Sequence, residues 1–261
     1  FIERPVGTDA YATPEGPRRF ATRIETIRVR FREQPETLTV RSTRHGPVIS
    51  DLDPPRADGT VLALAFTALA EDDRTPQALL GMNRARDWRQ FRAALENFHA
   101  PLQNVAFVAI DGTTAILAAG RVPLRASGDG SFPVAGDSGT FDWRGTIPFD
   151  ELPQAVDPPA GVIVNGNNRM VDGGYPHFIT RDWPDAFRAD RIQALIDRSP
   201  QHSLDSMAAM QADAFAGEAP TILPILLRLL GAPDGETARA AAAMLAGWDL
   251  RLGREKPEPA L

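Results

Sequence analysis

Residues 104–119 read NVAFVAIDGTTAILAA, and this stretch does more than any other to decide the fold class. Two short runs rich in apolar residues, 104–110 and 113–119, flank the dipeptide Asp111-Gly112. Asp-Gly between two such runs is a strong local signal for a tight turn, because both residues tolerate the backbone conformation that a short hairpin needs. The stretch therefore predicts an antiparallel β-hairpin.

Further strand signals occur on both sides of this hairpin. Residues 22–31 (TRIETIRVRF) and 36–50 (ETLTVRSTRHGPVIS) alternate apolar and polar side chains, which is the period of a half-buried strand. Shorter apolar runs at residues 61–66 and 161–164 also predict strands.

Helix signals concentrate in the last third of the chain. One earlier helix is predicted over residues 88–98, where Asp87 is a candidate N-cap and apolar residues recur at helical spacing. Spacing and start or stop signals predict four later helices, over residues 185–198, 203–213, 218–230 and 235–248. The predicted class is therefore α+β, with a mainly β section at residues 1–168 that holds one helix, and a mainly helical section at residues 169–261.

The composition limits the class of protein. The chain has 261 residues, of which 43% are hydrophobic and 24% charged, as is ordinary for a folded domain with a sizeable core. A net charge of −6 gives no electrostatic reason to expect nucleic acid or an anionic membrane as a partner. There is no cysteine, which excludes disulfides, a thiol nucleophile and cysteine metal sites.

Two short motifs suggest hydrolytic chemistry but support it weakly. The sequence GDSGT at residues 136–140 is similar to the nucleophile loop of trypsin-like proteases. In that chemistry Ser138 would need a histidine base and a buried aspartate, and none of the four histidines stands in a matching context. His45 precedes a Gly-Pro pair, a setting that favours a structural hydrogen-bonding role over a catalytic one.

Residues 161–168, GVIVNGNN, leave two interpretations open. An apolar run leads into three asparagines around one glycine. Asn and Gly tolerate left-handed backbone conformations, so the segment can simply be a turn. Alternatively, a strand end presents an asparagine amide rigidly, and such a donor can stabilise the oxyanion of a tetrahedral intermediate by about 3–4 kcal/mol.

Long colinear stretches resemble the β-chain of penicillin acylases and of their relatives, the cephalosporin and acyl-homoserine-lactone acylases. The resemblance runs over residues 1–230. Its main stretches are TRHGPVIS (43–50), the segment 104–170 that ends in GVIVNGNNRM, DAFRADRIQALI (185–196) and MQADAFAGEAPTILPILL (210–227). It implies an N-terminal-nucleophile hydrolase with part of a four-layer αββα architecture. In such enzymes a new N-terminal serine attacks the amide, and its own α-amino group is the base.

The resemblance also implies roles for four residues. Asn167, the first of the Asn-Asn pair, corresponds to the side-chain oxyanion donor. Arg191, in the sequence ADRI, corresponds to the residue that orients this asparagine and the nucleophile's amine. Leu79 and Gln103 correspond by offset to walls of the acyl pocket.

The sequence also departs from the family pattern. Phe1 has neither a hydroxyl nor a thiol, so the chain is expected to be an internal piece of the β-chain that is inactive by itself. The family's calcium ligand after the Tyr175-Pro176 pair falls near Ile179, whose side chain cannot ligate. No cofactor or metal is therefore expected in this chain, although calcium is possible in the parent protein.

The expected function is hydrolysis of the amide between an acyl group and an amine, in a small molecule such as a β-lactam or an acyl-homoserine lactone. The expected partners are that substrate, the α-chain and the rest of the β-chain, with no nucleic acid and no membrane. The family implies a periplasmic or secreted location. One alternative is an intact hydrolase of another kind that uses Ser138 or His45; another is a non-catalytic binding or structural domain that keeps the acylase scaffold.

Overall fold

The chain folds into two compact units. The computed structural model describes residues 1–260. Unit 1 consists of Phe1–Ile163 and Val171–Asp182, and unit 2 consists of Val164–Met170 and the chain from Trp183 onward.

Unit 1 contains thirteen short strands, two α-helices and three short 3-10 helices. The strands form five small sheets, and every strand pair is antiparallel; the sheet orders are β1-β8, β2-β3-β4, β5-β6-β7, β9-β10-β13 and β11-β12. The strands are β1 (Ile2–Glu3), β2 (Pro5–Val6), β3 (Ala10–Thr13), β4 (Gly16–Arg19), β5 (Ala21–Ile27), β6 (Glu36–Thr43), β7 (Gly46–Pro47), β8 (Val61–Leu62), β9 (Gln103–Val108), β10 (Thr114–Ala119), β11 (Pro123–Arg125), β12 (Trp143–Thr146) and β13 (Gln154–Val156). The helices are α1 (Thr75–Arg84) and α2 (Trp88–Leu95).

Unit 2 is helical. Its four helices are α3 (Phe187–Ile196), α4 (Leu204–Gln211), α5 (Ala219–Leu230) and α6 (Glu236–Ala246). Each lies within one of the four helices predicted from the sequence. At the start of α4, the side chains of Ser203 and Ser206 each accept a hydrogen bond from the other residue's backbone N–H, which satisfies two N–H groups that the helix itself leaves free.

The predicted hairpin is confirmed. Strands β9 and β10 pair in register from Thr114 opposite Val108 to Ala119 opposite Gln103. Gly112 adopts a φ of 93°, and the Asp111 carboxylate accepts a 2.9 Å hydrogen bond from the Thr113 N–H, so both turn residues act as their types predict. Five of the six residues of β10 are buried, which makes this strand the centre of its sheet.

The main core of unit 1 lies between this sheet and helices α1 and α2. Leu95 and Leu117 are fully buried there with Ala78, and Phe98 and Ala119 complete the cluster. The Asp87 N-cap of α2 is confirmed, since its carboxylate accepts a 2.8 Å hydrogen bond from the Gln90 N–H.

Four predictions about local structure are wrong. Residues 36–50 do not form one strand, because the chain reverses at Arg44 and His45 and β7 then pairs antiparallel with β6. Residues 161–164 form no strand; Gly161 has a φ of 70°, and the run continues as irregular backbone because no other strand pairs with it within residues 1–260. Strand β5 ends at Ile27, before the predicted end of the run, and all seven of its residues are exposed rather than half-buried. Residues 61–66 form only the two-residue strand β8.

Several elements were not predicted. Helix α1 begins at Thr75 with Pro76 in its first turn, and its Asp73 side chain accepts hydrogen bonds from both the backbone N–H and the hydroxyl of Thr75. These are ordinary start signals that could have identified the helix. The three-stranded sheet β2-β3-β4 and the strand pair β11-β12 lack clear alternation in the sequence and could not have been identified in that way.

Candidate functional site

The three asparagines of residues 165–168 do not have the same role: two of them close a turn, and the third does not. Asn165 accepts a 3.1 Å hydrogen bond from the backbone N–H of Asn167, and Asn168 accepts one of 3.1 Å from the N–H of Gly166. Asn167 itself has a left-handed φ of 63°. The segment is therefore a tight turn, as the simpler interpretation predicts, but the turn is closed by the neighbours of Asn167.

The Asn167 side chain is held from outside the turn. Its amide oxygen accepts a 3.1 Å hydrogen bond from Nη2 of Arg188, which also donates to the Gly166 carbonyl. Asn167 is exposed, and within residues 1–260 its amide nitrogen has no hydrogen-bond partner. An asparagine held by its oxygen presents both N–H donors in one fixed direction.

Close packing fixes the position of this turn in unit 2. Gly166 is buried against the first turn of α3, and a Cβ at this position would lie 2.9 Å from the Ala189 backbone nitrogen. No side chain larger than hydrogen fits there without moving the helix. The turn is therefore anchored to α3 by Gly166 and by Arg188.

Arg191 does not make the contact that the resemblance predicts for it. Its guanidinium forms two hydrogen bonds, of 2.7 and 2.9 Å, with the Asp213 carboxylate, and it lies 4.3 Å from the centroid of the Phe215 ring. The Arg191 hydrogen bonds, and secondarily its charge, hold the pKa of Asp213 below the ordinary value. Because Asp213 occupies Arg191, the hydrogen bond to Asn167 comes from Arg188, three residues earlier on α3. A role for Arg191 in the reaction stays a prediction.

The two predicted pocket residues lie in unit 1. Leu79 is half-exposed on α1, and the main core is contacted by its neighbours Ala78 and Met82. Gln103 is exposed at the first position of β9, opposite Ala119. Their assignment to an acyl pocket stays a prediction.

Unit 1 contains a polar cluster around His45, and the sequence predicted only the structural hydrogen-bonding role of that histidine. His45 lies between two carboxylates: its Nδ1 is 2.6 Å from Glu3 Oε1 and its Nε2 is 2.9 Å from Asp142 Oδ1. The Thr43 hydroxyl also donates to Glu3, and Arg44 donates to both oxygens of Asp142. These five residues are called the bridged-carboxylate cluster below.

Burial and charge shape the chemistry of this cluster. The Glu3 side chain is fully buried and that of His45 is 7% exposed, with the Phe1 ring stacked on the imidazole at 3.7 Å. Burial by itself raises the pKa of Glu3, but hydrogen bonds from His45 and Thr43 and the nearby positive charges lower it below the ordinary value. Both ring nitrogens of His45 face carboxylate oxygens, so the ring can donate to both only when it carries two protons. His45 therefore acts as a structural bridge.

This geometry weighs against a serine-histidine hydrolase. Both nitrogens of His45 are occupied by Glu3 and Asp142. The Ser138 hydroxyl donates to Thr140 at 3.0 Å and is not bonded to any histidine among the described residues. Ser138 therefore lacks the base that protease-like catalysis needs.

The described residues contain neither a metal cluster nor a membrane span. Within residues 1–260, no group of three or more His, Cys, Asp or Glu side chains is placed to hold a metal ion. Ile179 packs against the apolar cluster of Val122, Ile147 and Leu152. No helix in the same range is long and apolar enough to cross a bilayer.

Comparisons with known proteins agree with the sequence resemblance. The family model described as penicillin amidase matches residues 1–261. The chain is 34% identical over 210 residues to penicillin acylase 2 proenzyme of Pseudomonas sp., an alignment that covers 80% of this chain and 27% of that protein. It is 30% identical over 241 residues to the acyl-homoserine lactone acylase QuiP of Pseudomonas fluorescens, with 88% of this chain and 30% of that protein covered.

A solved structure shares the fold. The thermostable penicillin G acylase of Alcaligenes faecalis superimposes with a TM-score of 0.77 at 23% identity, covering 98% of this chain and 46% of that one. The chain thus spans roughly 27–30% of the two curated relatives' length and less than half of the solved chain.

Proposed function

The chain belongs to the penicillin amidase family, and from this premise we propose that it supplies the oxyanion donor of an amide hydrolase, with Asn167 as that donor. The reaction is cleavage of the amide between an acyl group and an amine. Its tetrahedral intermediate carries a negative oxygen, which positioned N–H donors stabilise far better than mobile water does.

One observation carries this proposal: the side-chain amide of Asn167 is held by its oxygen and open at its nitrogen. An oxyanion donor must be fixed before the charge develops, because orienting it during the reaction would cancel much of its effect. Arg188 supplies that fixation, and Asn165 and Asn168 supply the turn beneath it. The side chain of Asn167 is therefore not used to close the turn.

We further propose that the nucleophile comes from a part of the protein other than these residues. The Phe1 side chain carries no nucleophilic atom, and neither Ser138 nor His45 forms a working pair within residues 1–260. In the family mechanism, the amine of an N-terminal serine acts as base, and its ordinary pKa of about 8 suits that task near neutral pH. On this proposal the 261 residues alone give no burst of acyl-enzyme with activated amide or ester substrates.

The substrate class and setting are also proposals. The names of the relatives support an amide of a β-lactam or of an acyl-homoserine lactone as the substrate. If the substrate is a β-lactam, the reaction belongs to antibiotic catabolism. An α-chain and the remaining β-chain are the proposed partners, and export to the periplasm rests on the family resemblance alone.

The test is substitution of Asn167 in the full-length protein. Asn167→Gly removes the amide while glycine accepts the left-handed φ of 63° without strain. It is expected to lower kcat by roughly two to three orders of magnitude, with little change in folding. Asp157→Gly is the matched control, because it also places a glycine at an exposed residue with a positive φ, of 46°, outside this turn; it is expected to leave kcat unchanged.

An unchanged kcat in Asn167→Gly would exclude Asn167 as the donor. Absence of any acylase activity in the full-length protein would favour the non-catalytic alternative, in which the scaffold serves binding or structure.

A further inference from the structure

An open cavity of about 290 Å³ in unit 1 is lined mostly by apolar side chains. Phe132, Phe141 and Trp143 supply aromatic rings to it. Arg125, at the end of β11, contributes the one charged side chain among the described residues that line the cavity. Its volume is near the lower end of the range for small-molecule sites in proteins.

The Arg125 guanidinium packs against the backbone of Gly130. A Cβ on Gly130 would lie 2.8 Å from both Nε and Nη2 of Arg125, so the guanidinium rests directly on the glycine backbone. The centroid of the Trp143 ring is 6.0 Å from Cζ of Arg125. Gly130 has a φ of +81°, a conformation that side chains other than hydrogen rarely adopt. The loop thereby leaves room for the guanidinium beside the cavity.

Among the described residues, the charge of Arg125 is compensated only from a longer distance, by the Asp129 carboxylate. Among residues 1–260, no side chain or carbonyl forms a hydrogen bond or ion pair with this guanidinium. The nearby Asp129 is already engaged, because it accepts hydrogen bonds from Ser131 and from Arg181 that lower its pKa to about 2. Burial lowers the pKa of Arg125, since water no longer solvates its charge fully. A partly desolvated guanidinium without a hydrogen-bond partner leaves free donors in the cavity.

We propose that this cavity binds a small carboxylic acid that carries one aromatic ring or a short apolar chain, with its carboxylate on Arg125. A planar guanidinium offers two parallel N–H donors that match the two oxygens of a carboxylate. The rings of Phe132, Phe141 and Trp143 receive the apolar part. This site involves neither Asn167 nor Arg188 and does not depend on the proposed amide hydrolysis.

The experiment is a titration of the full-length protein with benzoate and, separately, with benzamide. Binding is followed by proton–nitrogen correlation NMR of the Arg125 Nε–H and the Trp143 indole N–H. Benzoate is expected to shift both signals saturably, and benzamide, which has the same shape without the charge, is expected to bind at least about tenfold more weakly.

Variants separate the guanidinium from general charge effects. Arg125→Gln is expected to weaken benzoate binding at least about tenfold, as followed on the Trp143 signal. Gly130→Ala keeps the charge but displaces the guanidinium, and is expected to weaken binding as well. Arg144→Gln is the matched control, because Arg144 is exposed next to Trp143 and does not line the cavity; its affinity is expected to equal that of the wild type.

Any of three results would overturn the inference: no saturable binding of benzoate, equal binding of benzoate and benzamide, or equal affinity in the wild type and Arg125→Gln. If Arg125→Gln does not fold, Arg125→Lys replaces it, since a lysine keeps the charge and loses the two parallel donors. Wild-type affinity in that variant would also exclude the paired contact.

Discussion

Both units of this protein use arginine to hold a polar side chain, but they do so in opposite surroundings. In unit 1, the bridged-carboxylate cluster encloses a fully buried Glu3 and an almost fully buried His45. In unit 2, Arg188 holds an exposed Asn167 through one oxygen and leaves the amide nitrogen open. An arginine thus belongs to a largely buried hydrogen-bond network in unit 1, whereas in unit 2 an arginine holds a side chain that is exposed to solvent.

The difference indicates which polar residues are architectural and which are available for chemistry. In the closed cluster both ring nitrogens of His45 have a carboxylate partner, so neither is free to act on a substrate. Removal of His45 takes away the main partner of the buried Glu3 carboxylate, which is costly. In the open arrangement, removal of the amide costs little stability and takes away a donor that faces solvent.

The largest effect is expected from His45→Ala. Loss of the bridge leaves the buried Glu3 carboxylate with only the Thr43 hydroxyl as a partner, and the free energy of unfolding is expected to fall by about 3–5 kcal/mol. Urea denaturation of the 261-residue chain measures this change.

His177→Ala is the matched control for that variant. His177 also contacts a glutamate, Glu151, but the Glu151 side chain is 52% exposed. The expected loss is about 1 kcal/mol or less. Equal losses in the two histidine variants would show that burial does not distinguish these pairs.

A smaller and divided effect is expected from two arginines on α3. Arg191→Gln removes two hydrogen bonds from Asp213, whose side chain is 12% exposed, and is expected to lower the free energy of unfolding by about 2 kcal/mol. Arg188→Gln is expected to change stability by less than about 1 kcal/mol, because its contact to Asn167 is exposed.

Activity of the full-length protein is expected to show the reverse order. Arg188→Gln frees the Asn167 amide to rotate, and kcat is expected to fall about tenfold with KM unchanged. If Arg191→Gln lowers kcat and Arg188→Gln does not, the residue assignment implied by the family resemblance is right, and the contact seen here is not the one that matters.

The smallest effect is expected from acid. The folded-state pKa values of Glu3 and Asp142 lie below their ordinary values, so these groups contribute stability that is fully present above their unfolded-state pKa values of about 4. That contribution is lost as the pH falls through the lower folded-state pKa values. Urea midpoints are therefore expected to decline from about pH 5 downward, and to decline less in Asp142→Asn. A midpoint that rises on acidification would contradict the assignment.

Local signals explain which parts of the fold could be predicted from the sequence. The hairpin around Asp111-Gly112 and the cap at Asp87 depend on residues within a few positions of each other, and both are confirmed. The apolar run at 161–164 has strand composition but finds no partner, and composition alone cannot supply one. Turns and helix caps are determined by residues close in sequence, whereas a strand also requires a partner strand that can lie far away in the sequence.

The same reasoning applies to the site. Asn167 could be singled out only through the family resemblance, because the residues of GVIVNGNN by themselves left a simple turn open, and its role stays a prediction that the turn geometry supports. Glu3 could not be found, since its partner His45 lies 42 residues away and Asp142 lies 97 residues from His45. Arg188 and Arg191 are both plausible partners for Asn167 on one helix, and only the position of Asp213 separates them.

Strand β5 has a practical consequence for handling the protein in concentrated solution. It lies at the edge of its sheet, and all seven residues are exposed, including Ile24 and Ile27. The charges of Arg23 and Glu25, which pair at 2.6 Å, stand on this edge and discourage edge-to-edge association with a second molecule. Screening by high salt weakens that protection, so preparations kept at moderate ionic strength are expected to resist self-association best.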